Sequence, residues 1–240
     1  SLYERVFLYV VLEEYLGKGH FSVLSTHDHI FLRDFMRLNG EKGSIWNFKT
    51  EEDDDGELQY TFEIQGGHAL SKGIKLAKKF ENETLNFKVH DMRKPFNNSY
   101  NAVFNLFTSF GYFDTDEEHQ QSIQSISDSL KHKGYVVFDF MNATKVKANL
   151  VTQEHKSIKG IDFYISRKVE DHCIVKDIRV EGPEESFDFQ ERVRAIGVDD
   201  FKRWFEKSNL TFVDILDVPS LTNFNPLTSD RMLVVGQKNI

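Results

Sequence analysis

Apolar positions recur along this chain with two different periods, and the change from one to the other divides it. In the middle of the chain Leu70, Ile74 and Ala77 fall at helical spacing and predict a helix over Leu70–Phe80. Ile123, Ile126 and Leu130 do the same for Asp116–His132, which Lys131-His132-Lys133-Gly134 would end with cations and a glycine. Short apolar runs at Leu85–Val89, Ala102–Leu106 and Tyr135–Phe140 read as strands between these helices. Upstream, residues 2–16 predict an amphipathic helix stopped at Gly17-Lys18-Gly19, followed by a short strand at His20–Ser25 and a helix over Ile30–Leu38. Ser44–Thr50 and Glu57–Ile64 alternate apolar with polar residues around an acidic Glu51–Gly56 turn, the pattern of a hairpin. From about residue 150 the period becomes two: Ile161–Val169, Cys173–Val180 and Phe187–Ala195 predict successive antiparallel strands, with turns at Glu170-Asp171 and Glu181–Glu184. Val198–Ser208 returns to helix, with Trp204 and Phe205 inward, and Thr211–Leu216 and Arg231–Gly236 close the chain as strands. The class expected is α/β, with residues 1–149 and 197–240 forming one domain and 150–196 an antiparallel β insert.

Composition narrows the function. At 240 residues the chain can bury one sizeable core. A net charge of −8 argues against a protein that grips nucleic acid by neutralising phosphates; Lys72, Lys75, Lys78 and Lys79 read as the solvated face of a helix. The single Cys173 excludes an internal disulfide and points to a reducing, cytoplasmic setting. The apolar N-terminal run is far shorter than a membrane span and is followed by Glu13 and Glu14, so no membrane partner is expected. With 22 phenylalanines against 2 tryptophans the core is expected to be aromatic.

The richest stretch runs from Val89-His90-Asp91-Met92-Arg93-Lys94-Pro95-Phe96 into Tyr100–Phe113. It orders a strand end, an acid, a short loop, an apolar strand, and then a polar, aromatic, glycine-bearing loop. Loops at the carboxyl ends of parallel strands are where open α/β sheets bind ligands. Together with Lys133–Asn142, this order resembles the class I S-adenosylmethionine-dependent methyltransferases, closest to the small-molecule type with a β-rich insert near the C-terminus. The resemblance covers about residues 70–240. It implies a Rossmann-like sheet, with the insert capping the active-site face, and S-adenosylmethionine as cofactor. It places the adenine by Asp91 and Met92, and the methionyl part by Asn105, Leu106 and Phe107. A carboxylate can accept from the adenine amino group and a thioether packs on an aromatic face. A small-molecule substrate would then sit between Phe110, Tyr112 and the insert.

The first third departs from the family pattern. Its first strand should end in an acid and a glycine-rich loop, and the only candidate is Glu13–His20, which follows an apparent helix. The acid expected after the second strand falls on Ala69 when Ala69-Leu70-Ser71 is aligned to it, and Gly66-Gly67 is a feeble ligand-loop signal. Three readings stay open: a methyltransferase that holds its cofactor with other groups, Glu63 or His68 among them; a methyltransferase-like domain that serves as a binding or oligomerisation module; or a chain whose first 66 residues differ from those of the natural one. Another Rossmann-like enzyme would need a GxGxxG or P-loop motif, and neither is present.

No catalytic residue is fixed by the sequence, since methyl transfer needs alignment and exclusion of water more than a base. Tyr112 and His119 are the candidates, His119 as a general base or, alternatively, a surface residue at a helix start. Arg192 and Arg194, two apart on a predicted strand, could meet an acidic substrate from one side or pair with neighbouring acids. His20, His27, Asp28 and His29 cluster, but no second group completes a metal site, and none is expected. Asp53-Asp54-Asp55-Gly56 lacks calcium-loop spacing. A homodimer would follow if exposed insert strands paired across a two-fold axis.

Overall fold

The computed structural model describes residues 90–96, 99–158, 160–183 and 186–240, and the backbone of four short strands before them. Those four are β1 (Phe21–Ser25), β2 (Gly43–Ile45), β3 (Glu51–Glu52) and β4 (Leu58–Gln59). β5 (Tyr100–Asn105), α1 (Asp116–Ser129), β6 (Leu130–Met141) and α2 (Ala143–Ala148) follow. Then come β7 (Gln153–Ile158), β8 (Ile161–Glu170), β9 (Cys173–Glu181) and β10 (Ser186–Arg194). α3 (Val198–Lys207), β11 (Leu210–Val218) and β12 (Arg231–Lys238) complete the order.

The main sheet runs β11-β12-β6-β5-β1-β2. β2, β1, β5 and β6 are mutually parallel, whereas β12 runs antiparallel to both of its neighbours, β6 and β11. The parallel strands therefore present their carboxyl ends on one edge, where the start of β12 meets the end of β6 at Arg231 and Met141. Strands buried on both faces need continuous apolar runs, and β5 and β6 supply them: Ala102, Val103, Phe104, Val136, Val137, Phe138 and Phe140 are all buried.

One face of this sheet is covered by α1 and α3. α3 buries Phe201, Trp204 and Phe205, spaced i, i+3, i+4, against Phe138 and Phe140. Phe110, Phe138, Phe140, Phe201 and Phe205 meet there in tilted and edge-on contacts, with ring centroids 5.1–6.1 Å apart where they touch. Among the described residues, these phenylalanines form the centre of the core. α1 starts with a capping box: the Glu118 amide donates to Thr115 Oγ1 at 3.2 Å, and Glu118 Oε2 accepts from the Thr115 amide. α1 ends at Ser129, three residues before the predicted His132, because Leu130 already adopts extended backbone.

The insert is a separate four-stranded antiparallel sheet, β10-β9-β8-β7, with one strand more than the pattern predicted. Cross-strand register puts Ile165 opposite Ile178 and Phe163 opposite Val180 on the inward face, and Tyr164, Arg179 and Asp188 on the outward one. The Asp171-His172 turn between β8 and β9 has both residues at positive φ, 48° and 61°, the twist a two-residue hairpin requires.

The N-terminal expectations fare unevenly. The strand at His20–Ser25 is present as β1. Ser44 and Ile45, expected at the start of a hairpin arm, lie instead in β2, which joins the main sheet in parallel with Phe21–Val23, and residues 46–50 lie outside the described residues. The hairpin is shorter, Glu51–Glu52 with Leu58–Gln59, around the acidic turn. The predicted helices over 2–16, Ile30–Leu38 and Leu70–Phe80, and the strand Leu85–Val89, lie outside the described residues.

Candidate functional site

At the carboxyl edge of the parallel strands the chain brings together the segment after residue 89, the turn after β5 and the end of β6. Asp91 opens the first. Its Oδ1 accepts from the Arg93 amide and from Arg93 Nε, each at 3.0 Å, and Oδ2 accepts from Arg93 Nη2 at 2.9 Å. A carboxylate offers about four acceptor positions, so one on Oδ2 is left. These bonds from Arg93 hold the Asp91 carboxyl down at about 2, and it is ionised throughout the physiological range. Arg93 Nη1 also pairs with Glu118 Oε1, and its guanidinium lies 5.3 Å from the Phe113 ring centre. Asp91 is thereby tied to the capping box of α1.

Met92 lies beside Asn105, whose Nδ2 donates to the Met92 sulfur at 3.5 Å. Asn105 ends β5 fully buried, and its Oδ1 has no hydrogen-bond partner. A buried acceptor without a donor is costly, and a ligand N–H or O–H would relieve it. Leu106 is buried and Phe107 half-buried in the turn that follows. The pairs Asp91–Met92 and Asn105–Phe107, expected at one cofactor, are thus joined by a direct Met92–Asn105 contact.

Residues expected at the substrate divide. Tyr112 is 44% exposed, and its hydroxyl donates to Glu191 Oε1 of β10 at 2.9 Å. Partial burial and the Glu191 carboxylate push the phenol pKa up, so it stays protonated. Phe110, expected beside Tyr112, is turned away from the surface. It is fully buried, and its ring packs on Phe138, Phe201 and Trp204, because the turn at Leu106–Ser109 sends it into the core.

His119 is neither a surface residue nor an accessible base. It is buried, stacked on Trp204 at 5.4 Å and 6°, and its Nδ1–H donates to the Thr115 carbonyl at 2.7 Å. Nε2 is left without a partner, and burial lowers the imidazole pKa, keeping the ring neutral. Arg192 and Arg194 share a face of β10, but each is paired. Arg192 lies 3.7 Å from Glu170 and 3.5 Å from Asp171, and Arg194 lies 3.0 Å from Asp116. Asp116 also meets Arg203, which fastens the insert to α1 and α3.

Sequence reasoning missed Asp139 and Arg231 as a pair, since they are distant in the chain and belong to strands facing opposite ways. Asp139 Oδ1 accepts from Arg231 Nε at 2.7 Å, and Oδ2 from the Phe107 amide at 2.8 Å. Asn142 was expected at this strand end, but its capping role was not. Its Oδ1 caps α2, and its Nδ2 donates to the Pro226 and Ser229 carbonyls, pinning the β11–β12 loop to the same edge. The signal available was an Asn after a strand and two residues before a Thr, a helix-capping position.

The candidate glycine loop at Glu13–His20 precedes β1 instead of following it, and Ala69 does not end the second strand, which is Gly43–Ile45. Glu63, His68 and the His20, His27, Asp28 and His29 cluster lie outside the described residues. Among the described residues no group of three His, Cys, Asp or Glu could hold a metal ion.

Solved structures share this arrangement. An S-adenosylmethionine-dependent methyltransferase from Clostridium acetobutylicum has a TM-score of 0.74 over 99% of this chain and 91% of its own, at 12% identity. The CcbJ methyltransferase of Streptomyces caelestis scores 0.72 over 98% and 94%, at 12% identity. CalS10 of Micromonospora echinaspora, an amino pentose methyltransferase with S-adenosylmethionine bound, scores 0.66 over 99% and 90%, at 11% identity. This chain has the methyltransferase fold. No family model matches the sequence, and no curated protein matches it. In this methyltransferase fold, Asp91, Asn105 and Asp139 occupy or adjoin the strand-end edge, the ligand-binding edge of open α/β sheets.

Proposed function

We propose that the protein is an S-adenosylmethionine-dependent methyltransferase acting on a small molecule. The observation that carries this reading is the buried, unpartnered Asn105 Oδ1 beside Met92, at the strand-end edge of a methyltransferase fold. The residues present fit the cofactor. Asp91 keeps one acceptor position for an amino group, Met92 offers a polarizable surface for a ring, and Asn105 offers an acceptor for a further donor. Leu106 and Phe107 would flank the methionyl part. When bound, the cofactor supplies an electrophilic methyl group on a sulfonium. The chain's own part is to orient and to exclude water. Tyr112, protonated and bonded to Glu191, would line the acceptor side, and Arg192 and Arg194 would hold the insert strand in place.

The same reading divides the chain into a Rossmann-like domain of residues 1–149 and 197–240 and a cap of 150–196. It places the protein in the cytoplasm, as the single Cys173 suggests. Among the described residues no helix is long and apolar enough to cross a membrane. A homodimer through an outer strand of the insert, β7 or β10, belongs to the proposal.

Isothermal titration with S-adenosylmethionine and S-adenosylhomocysteine tests it. Micromolar binding, weakened in Asp91→Ala, is expected. A folded protein that binds neither at millimolar concentration would sink the enzyme reading in favour of a non-catalytic binding module.

A further inference from the structure

The turn after β5 holds two consecutive non-glycine residues in the left-handed region, Phe107 at φ 56° and Thr108 at φ 60°. It closes with the Ser109 amide donating to the Leu106 carbonyl at 3.2 Å. A bulky aromatic and a β-branched residue do not adopt this conformation by preference, and it persists only where the surroundings over-determine it. Here they do. The Phe107 amide donates to Asp139 Oδ2 at 2.8 Å, and the Thr108 amide donates to the Asp139 carbonyl at 2.9 Å. Arg231 then locks Asp139 from the other side. Its Nε donates to Asp139 Oδ1 at 2.7 Å, while Nη2 reaches Thr108 Oγ1 at 3.2 Å and the Asp139 carbonyl at 3.4 Å. Thr108 Oγ1 also accepts from the Met141 amide at 3.2 Å. The Asp139 side chain is 4% exposed, so without Arg231 its charge would be buried unpaired.

We infer that Asp139 and Arg231 are positioning residues, which preset the Leu106–Ser109 turn as a rigid wall for the amino-acid end of the cofactor. The inference rests on the cofactor reading above. It assigns Arg231 a role that needs its planar fork: Nε and Nη2 address two partners at once, Asp139 and Thr108. A lysine ammonium keeps the charge but has no fixed pair of donors at that spacing. The adenine side, at Asp91 and Met92, is held separately through Arg93 and Glu118. The two ends of the proposed cofactor site are therefore set by independent ion pairs.

The test compares Arg231→Lys with the unaltered protein, using S-adenosylmethionine and 5′-methylthioadenosine, which keeps the adenosine but lacks the amino-acid end. Arg231→Lys is expected to weaken S-adenosylmethionine about tenfold while changing methylthioadenosine less than about twofold. Amide exchange at Phe107 and Thr108 should accelerate at least about tenfold relative to Val137, since local opening no longer breaks the full set of bonds. Equal weakening of both ligands, or of neither, in a variant that unfolds cooperatively overturns the inference. Should the unaltered protein bind neither ligand, the cofactor reading fails and the exchange experiment alone decides the clamp; unchanged exchange at Phe107 and Thr108 sinks it. If Arg231→Lys does not fold, Thr108→Val removes one partner of the fork and must show the same selective loss, with Thr108→Ser restoring it.

Discussion

Gly111 is the position where the turn after β5 is handed to the insert, and replacing it with alanine should be among the most damaging single-atom changes in the described part of the chain. Its φ is +96°, beyond the left-handed well, and its carbonyl accepts from the Arg194 amide at 2.8 Å. A Cβ there would lie 3.1 Å from Phe140 Cζ, 3.2 Å from Phe140 Cε2 and 3.2 Å from Val193 Cγ1. Phe140 and Val193 are both buried in the aromatic core, so neither can swing aside. The backbone conformation alone costs an alanine about 1–2 kcal/mol. Forcing a methyl into a packed site adds about 1–3 kcal/mol. The expected loss is therefore roughly 2–5 kcal/mol, or a fall in Tm of about 4–20 °C for a chain of this size. Gly160→Ala is the internal control. Gly160 also has a positive φ, 80°, but a Cβ there meets nothing within 4 Å, so it carries the conformational cost without the clash. Thermal and urea unfolding of both variants, followed by circular dichroism, separates the two contributions. If Gly111→Ala costs no more than Gly160→Ala, the insert is not packed on Phe140 as described, and the argument for the junction is wrong.

His119 provides a pH test. Burial lowers its pKa below the ordinary 6.5, so as the pH falls through 6.5 the unfolded chain takes up a proton the folded one refuses. Stability should therefore drop on that side by at most about 1.4 kcal/mol per pH unit, and His119→Phe should lack this component. Matching pH–stability curves for the two proteins between pH 8 and the first acid loss, about pH 5, would refute it. Tyr112→Phe removes one half-exposed hydrogen bond to Glu191, which Lys176 still faces at 3.4 Å. The stability change should stay within about 1 kcal/mol, and a larger one would mean Tyr112 anchors the insert.

How much of this was legible in the sequence depends on how local the cause was. α3 was, because Phe201, Trp204 and Phe205 repeat at helical spacing and nothing else competes for them. The insert was, because period-two patterning and turn residues are local; β7 was missed because Gln153–Ile158 is almost entirely polar. The parallel role of Gly43–Ile45 was not legible, since three residues carry no period and only their pairing with β1 defines them. The site divides the same way. Asp91, Met92 and Asn105 stood out by their place at strand ends. Phe110 looked functional by its place in the loop after a strand and His119 by its place at the start of the next helix, yet the left-handed turn at Phe107-Thr108 and the stacking on Trp204 turn them into the core. Arg231 was invisible because its meaning lies in a partner 92 residues away.

The order of strands and the chemistry at their ends constrain each other. In the sequence after β1, Thr26-His27-Asp28-His29, there is no glycine to let the backbone close on a ligand. On the cofactor reading proposed above, recognition in the described half would rest instead on side chains whose geometry is fixed by other side chains: Arg93 and Glu118 for Asp91, Arg231 and Asp139 for the turn at Phe107. The two ends of the proposed cofactor site would be prepaid in rigidity by these ion pairs. Fixing donors and acceptors before a ligand arrives reduces the ordering cost of binding. The ion pairs are consequently the features in which the affinity for a cofactor would be concentrated, more than in any apolar surface nearby.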